Sequence, residues 1–252
     1  MDVVSTIQSS LLGSADSGRF QTTCWSDIVA AADVSRPGSG EALASVCSAY
    51  WYPVYAYARG CGLKSEDAQD LTQAFFAQVI EKEFLATADS ARGRFRWYLL
   101  ASVQNFLRSE LVRAKAQKRG GNLDLLSWDA LEAEQRFAAE PVEAVTPDLL
   151  FDRNWALAVM SQALKRLENE FRQSGRLVVF EQLKCYLEGA VSKNGYDQPA
   201  SFLGLSVSAV KVTVHRMRDR FRQMVREEIT RTVVNVADVE DELRHLAQLV
   251  AL

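Results

Sequence analysis

The stretch Val207 to Arg226 constrains this chain more than any other. Val207, Val210, Val214, Met217, Phe221 and Met224 fall at alternating steps of three and four residues. That spacing lines one face of a helix with apolar side chains. The other faces carry Lys211, Arg216, Arg218, Arg220, Arg222 and Arg226 against a single acid, Asp219. Just upstream, Gly204-Leu205-Ser206 offers a residue at ease in left-handed geometry and a hydroxyl able to cap the next helix. The short segment before it, Gln198 to Leu203, has Pro199 where a first helical turn tolerates it. Short helix, glycine turn and basic helix together predict a helix-turn-helix. A basic helix alone is as readily the solvated face of a bundle. The turn chemistry and the one-sided positive field favour a helix that meets duplex DNA.

The formal net charge of −3 hides strong segregation. Arg92 to Arg119 holds eight basic side chains against Glu110, and Asp124 to Asp152 holds eight acids against Arg136. Phosphate responds to such local patches, so a mildly acidic whole does not argue against nucleic acid. Cys24, Cys47, Cys61 and Cys185 are scattered, and only His215 and His245 could join them as ligands. Zinc spacing is therefore missing, and the thiols are expected to be reduced and mostly buried. No nucleophile elbow, phosphate loop or dinucleotide glycine pattern occurs. An enzyme is not expected, nor a metal or other cofactor. No apolar run approaches bilayer length, and Met1 to Phe20 lacks a basic start followed by an apolar core. The expectation is a cytoplasmic protein without membrane contact.

The periodicities predict an all-α chain of two helical domains joined by an acidic linker. Residues 1–22 read as a flexible N-terminus, small and polar. Residues 23–121 form the first helical domain, beginning with an amphipathic stretch from Thr23 to Ala32. Glu41 to Arg59 follows, broken or bent at Pro53, with Tyr50, Trp51, Tyr52, Tyr55 and Tyr57 as core. Ser65 is placed to cap a helix with Glu66 and Asp67 in its first turn and Leu71, Phe75, Phe76, Val79 and Ile80 inside. A helix from about Arg94 to Lys118 buries Leu99, Val103, Phe106, Leu107 and Leu111 and stops at Gly120-Gly121. Residues 122–147 read as the linker. Thr146-Pro147-Asp148 starts the second domain, 148–234, whose first helix stops at Gly175. Residues 235–252 form a C-terminal helical extension with Val239, Leu243, Leu246 and Val250 on one face.

The stretch Ala91 to Tyr98, ARGRFRWY, interleaves Arg92, Arg94 and Arg96 with Phe95, Trp97 and Tyr98. Flat rings stack on unpaired bases at about 1–3 kcal/mol per base, while guanidinium groups hold phosphates. The plainer alternative puts the rings in the core and leaves only the arginines solvated. Tyr98 fits that alternative better; Phe95 and Trp97, next to a loop, fit either. One module suited to unpaired DNA and one suited to duplex DNA describe a promoter-opening factor better than a repressor.

From about Tyr50 to Glu228 the sequence resembles bacterial sigma-70-type factors of the extracytoplasmic-function (ECF) group, which keep only regions two and four. DAQDLTQAFF, Asp67 to Phe76, is similar to the region-two helix that docks on the clamp of RNA polymerase. RGRFRWYLLASVQNFL, Arg92 to Leu107, is similar to the part that melts and reads the −10 element, and SVSAVKVTVHRMRDRF, Ser206 to Phe221, to the −35 recognition helix. The resemblance implies a sigma factor with core RNA polymerase and promoter DNA as partners. It implies −35 contacts from Ser208, Lys211, Val212, His215, Arg216 and Arg218. It implies −10 contacts from Arg92, Arg94, Phe95, Arg96, Trp97 and Asn105, and polymerase contacts from Asp67, Asp70 and Gln73.

Gln69 and Ala74 stand where many members carry an acid, and a less acidic helix attracts a basic clamp more weakly. Thr72 lies inside this stretch, and a phosphate there would add about −1.5 to −2 charges. Thr72 is therefore a candidate for phosphorylation by a Ser/Thr kinase, as in the kinase-associated kind of ECF factor; its alternative is a side chain facing the core. Control by an anti-sigma factor stays open. The C-terminal extension is expected to pack on the region-four-like domain, or to act as a regulatory tail. A stand-alone helix-turn-helix regulator on a palindromic site is the competing function, and a helical adaptor without nucleic acid is a third.

Overall fold

A computed structural model of the chain describes residues 39–81, 94–116, 130–138, 145–187, 195–233 and 237–251. Of these residues 89% are helical and none lies in a strand. The stretch Thr23 to Ala32, the loop from Ala86 to Gly93, and Arg92 with it, lie outside the described residues. Two compact units divide the described chain: Val159–Ile229 forms one, and the residues up to Ala158 together with those from Thr230 form the other.

The larger unit begins with α1, Ser39–Gly60. Its helical run continues through Pro53 without interruption; of the five aromatics expected in the core, Tyr50, Tyr52, Tyr55 and Tyr57 are buried and Trp51 is half-buried. Gly62, at φ +89°, reverses the chain, with Leu63 N–H bonding back to the Ala58 carbonyl. That left-handed turn needs a glycine. α2, Ser65–Glu81, buries Leu71, Phe75, Phe76 and Val79, but Ile80 is exposed. Ser65 is the first helical residue, and its hydroxyl lies 3.1 Å from that of Tyr55. α3, Phe95–Ala116, buries Leu99, Val103 and Leu107 and leaves Leu111 exposed, one turn before its end.

The expected linker is partly structured. Ala130–Ala138 forms α4, and it buries Ala133 and Phe137. Glu134 accepts hydrogen bonds from Tyr55 Oη at 2.5 Å and from Arg59 Nη2 at 2.7 Å, and the Arg59 guanidinium lies 4.6 Å from the Phe137 ring centroid. Arg136 stacks over Tyr52 at 3.6 Å. An acidic stretch that meets an arginine and two aromatic faces has somewhere to fold, which composition alone does not reveal.

α5, Pro147–Gln173, starts as its sequence predicts: Leu149 N–H donates to Thr146 Oγ1 at 3.3 Å. The division between units falls inside this helix, after Ala158, and not at the expected boundary near Pro147. The reason is apolar. Leu150, Phe151 and Trp155 are buried in the first core, and Phe151 stacks on Tyr50 with centroids 6.3 Å apart. A side chain on Gly60 would come within 2.9 Å of Leu150 Cδ1, so α1 ends on a residue without one.

α5 ends at Gly175, φ +70°, with Arg176 N–H bonding to the Phe171 carbonyl at 2.8 Å. The smaller unit continues with α6, Leu177–Leu183, a 3₁₀ turn, Lys184–Tyr186, then α7, Asp197–Leu203, and α8, Val207–Thr232. Its core gathers Leu167, Phe171, Phe180, Leu183, Val210, Val214, Met217 and Met224. Burying one such side chain contributes about 1.5–3 kcal/mol. Beneath them Arg166 bonds Glu228 at 2.6 Å and Glu227 at 2.5 Å, and Arg220 pairs with Glu170.

The last helix, α9, Asp238–Ala251, belongs to the larger unit. The C-terminal extension is thus grouped with the larger unit, where Glu242 pairs with Arg94 and Arg96 and His245 faces Asp152, and the expectation that it packs on the region-four-like domain is corrected. Val239, Leu246 and Leu249 are buried, whereas Leu243 and Val250 are half-buried. The thiols are also less buried than expected: Cys61 and Cys185 are exposed, and Cys47 is intermediate. Burial pushes the Cys47 thiol up to about 11.

Candidate nucleic-acid interface

The helix-turn-helix is built by its turn. α7 closes on Gly204 at φ +65° and ψ +29°, and Leu205 N–H bonds back to the Ala200 carbonyl at 2.9 Å. Only glycine takes that conformation without strain. Ser206 then caps α8: its Oγ accepts from Ala209 N–H at 3.2 Å, and its carbonyl accepts from Val210 N–H at 3.0 Å. Pro199 is the third residue of α7, where a backbone N–H would have no acceptor within the helix, so it costs no backbone bond.

With Val210, Val214 and Met217 buried, the opposite face of α8 is fixed outward. Ser208, Lys211, Val212, His215 and Arg216 are all exposed, at successive steps of three, one, three and one. Val212 keeps 47% exposure, enough for a methyl contact. Lys211 Nζ lies 5.8 Å from the Tyr196 ring centroid, and His215 Nε2 lies 3.3 Å from Asp219 Oδ2 on the next turn. Arg218 departs from this group. Its Nε donates to the Tyr186 carbonyl at 2.9 Å and its side chain is partly buried, so it ties the 3₁₀ turn to α8. Its expected place among the DNA-facing residues is corrected to a structural one. Arg220 is likewise engaged with Glu170, whose carboxyl it holds below the ordinary carboxylate range by hydrogen bonding.

The second constellation, in the larger unit, is mostly inside. Phe95 has 3% exposure and meets Tyr50 edge-on at 5.5 Å. Arg96 also has 3% exposure; its Nη1 donates to Glu242 Oε2 at 2.5 Å and its guanidinium lies 4.2 Å from the Trp155 ring centroid. Arg94 is ion-paired to the other oxygen of Glu242. In this arrangement neither Phe95 nor Arg96 can reach a base or a phosphate, and Arg94 is committed to a carboxylate. Trp97 is 51% exposed with Arg94 4.7 Å from its ring centroid, and Asn105 is exposed one face away along α3.

On α2, Asp67 and Asp70 are exposed and Gln73 half-exposed, and Ala74 and Ala77 continue the same outer stripe without charge. Thr72 points the other way. It has 0% exposure, and its hydroxyl donates to the Ala68 carbonyl at 2.7 Å. A kinase cannot reach it in the folded protein, so the phosphorylation candidate is withdrawn: the side chain faces the core.

Several residues around these sites escaped the sequence reading: Glu242, Asp152, Trp155 and, in the other unit, Glu228. Glu242 left a trace. It sits three residues after Val239 and four before Leu246, on the apolar stripe of its own helix. An acid there implies a buried cationic partner. Among the described residues no group of His, Cys, Asp and Glu is placed to hold a metal ion, and no helix is long and apolar enough to cross a membrane. A scan of protein-family models and searches of curated proteins and of solved structures each returned no match.

Proposed function

We propose that this chain is a sigma-70-type transcription initiation factor of the ECF group. It would bind core RNA polymerase, act in the cytoplasm, and direct initiation by reading −35 duplex through α8. It would perform no covalent chemistry itself. The observation that carries the reading is the outward stripe Ser208, Lys211, Val212, His215 and Arg216 behind a left-handed glycine turn. Lysine and arginine at that place can bond guanine edges, and the valine can meet a thymine methyl. Asp67, Asp70 and Gln73 on the outer stripe of α2 are the proposed polymerase contacts. For the −10 element the accessible candidates are Trp97 and Asn105.

A second reading, a stand-alone duplex-binding regulator, is favoured by the burial of Phe95 and Arg96, which removes much of the motif suited to unpaired bases. Run-off transcription with purified core polymerase and a promoter library separates the two. Initiation at a defined −35/−10 pair is expected. Tight palindrome binding as a dimer, with no initiation, would replace the sigma reading by the regulator.

A further inference from the structure

The last helix lays a carboxylate on the arginines of the Ala91 to Tyr98 motif. Glu242 falls on the buried stripe of α9 with 1% exposure, and it engages Arg94 and Arg96 at once. Asp238, Glu240 and Asp241 make the first turn of that helix acidic as well. Asp152 Oδ1 stands 3.4 Å from Arg96 Nε, and its Oδ2 stands 3.3 Å from His245 Nε2 on α9. Tyr50, Trp155 and Thr232 close the space around them.

Two carboxylates, Glu242 and Asp152, face the two guanidinium groups, yet Arg96 is left underserved. Its Nη2 is buried without an acceptor among the described residues, and its Nε has no aligned one. A guanidinium fork matches the paired oxygens of a carboxylate or a phosphate equally well. Buried ion pairs add little net affinity over apolar packing, so a helix seated on them is held partly by contacts that a phosphate can replace. Trp97, half-exposed beside Arg94, already offers a ring to an unpaired base.

We propose that α9 is an autoinhibitory latch, in which Glu242 occupies Arg94 and Arg96 in place of the phosphates of single-stranded DNA until the strand displaces it. The nature of that strand, a melted promoter segment, rests on the sigma reading above.

The test compares full-length wild type, Glu242→Gln and Leu246→Ala for binding a labelled single-stranded oligonucleotide across a salt series, with circular dichroism as the check on folding. Both variants are expected to bind about tenfold more tightly. The log–log salt slope should stay that of wild type in both variants, because the proposed complex makes the same phosphate contacts in every form and only the cost of opening the latch differs. Equal or weaker binding by both variants, or no strand binding by any form, overturns the latch. Because losing a buried charge can cost the fold, hydrogen exchange on wild type supplies a second readout. Saturating strand should deprotect the amides of Asp238–Ala251, and unchanged protection overturns the latch. Gained strand binding without initiation at any promoter keeps the latch and discards the sigma reading. Initiation that Glu242→Gln leaves unchanged, with strand binding also unchanged, does the reverse.

Discussion

At the scale of single residues, exposure sorts side chains that look alike in the sequence. Lys211 and Arg216 are outward and Arg218 is bonded to a main-chain carbonyl, though all three read as basic positions on one helix. If α8 reads duplex as proposed, Lys211→Ala and Arg216→Ala should each weaken that binding by about 1–3 kcal/mol and relax preference at one base position, measured by competition against base-substituted duplexes. Arg218→Ala should instead lower unfolding stability by about 1–3 kcal/mol in a denaturant titration, since it leaves the Tyr186 carbonyl without its charged donor. Thr72→Glu, an imitation of phosphate, is expected to lose the cooperative unfolding transition rather than gain activity. A carboxylate in a site with 0% exposure costs several kcal/mol of a total near 5–15. The face of Thr72 was legible in the sequence: it stands four residues after Ala68, three before Phe75 and four before Phe76, on the stripe that is buried.

Among the elements, the helix-turn-helix was legible and the acidic stretch was not. Gly204, Ser206 and the three-four spacing of α8 act locally, so the turn, the cap and the helix follow from their own residues. α4 depends on partners far away in the chain, Tyr55 and Arg59, which no local pattern announces. Hydrogen bonding to Arg59 holds the Glu134 carboxyl below its ordinary value of 4.5. A depressed carboxylate stabilises the fold above its unfolded pKa and releases that stability as pH falls through the folded value. Stability of the larger unit should therefore decline below about pH 4.5, and Glu134→Gln should flatten that limb while lowering stability at neutral pH, followed by urea unfolding across pH. Glu170, held down by Arg220, gives the smaller unit the same acid limb. The apolar stripe of α9 predicts a helix but not the unit it joins, because a stripe says that a helix packs and not on what.

For the whole molecule, charge placement matters more than charge sum. A chain of net −3 still presents Lys211, Arg216, Arg222 and Arg226 exposed on one helix. If those four meet phosphates or base edges on duplex DNA, log affinity should fall against log salt with a slope of about −3.6. A slope near zero would count against duplex binding by α8. The two-unit division was legible in outline from the charge blocks and the strong helix start at Thr146, yet its position was not. The first turns of α5 carry Phe151 and Trp155 into the larger core, a fact of tertiary packing that a good cap conceals.

Among the described residues two thiols are exposed, one in each unit: Cys61 just after α1 and Cys185 in the 3₁₀ turn. Once Cys24 and Cys47 are changed to serine, the chain becomes a natural two-dye ruler, with a donor on one unit and an acceptor on the other. Burial and the neighbouring Asp148 raise the Cys61 thiol, so its reaction with maleimide is slow near neutral pH and quickens as pH rises. Energy transfer between the dyes would then report, in real time, whether adding polymerase, duplex or unpaired strand alters their distance.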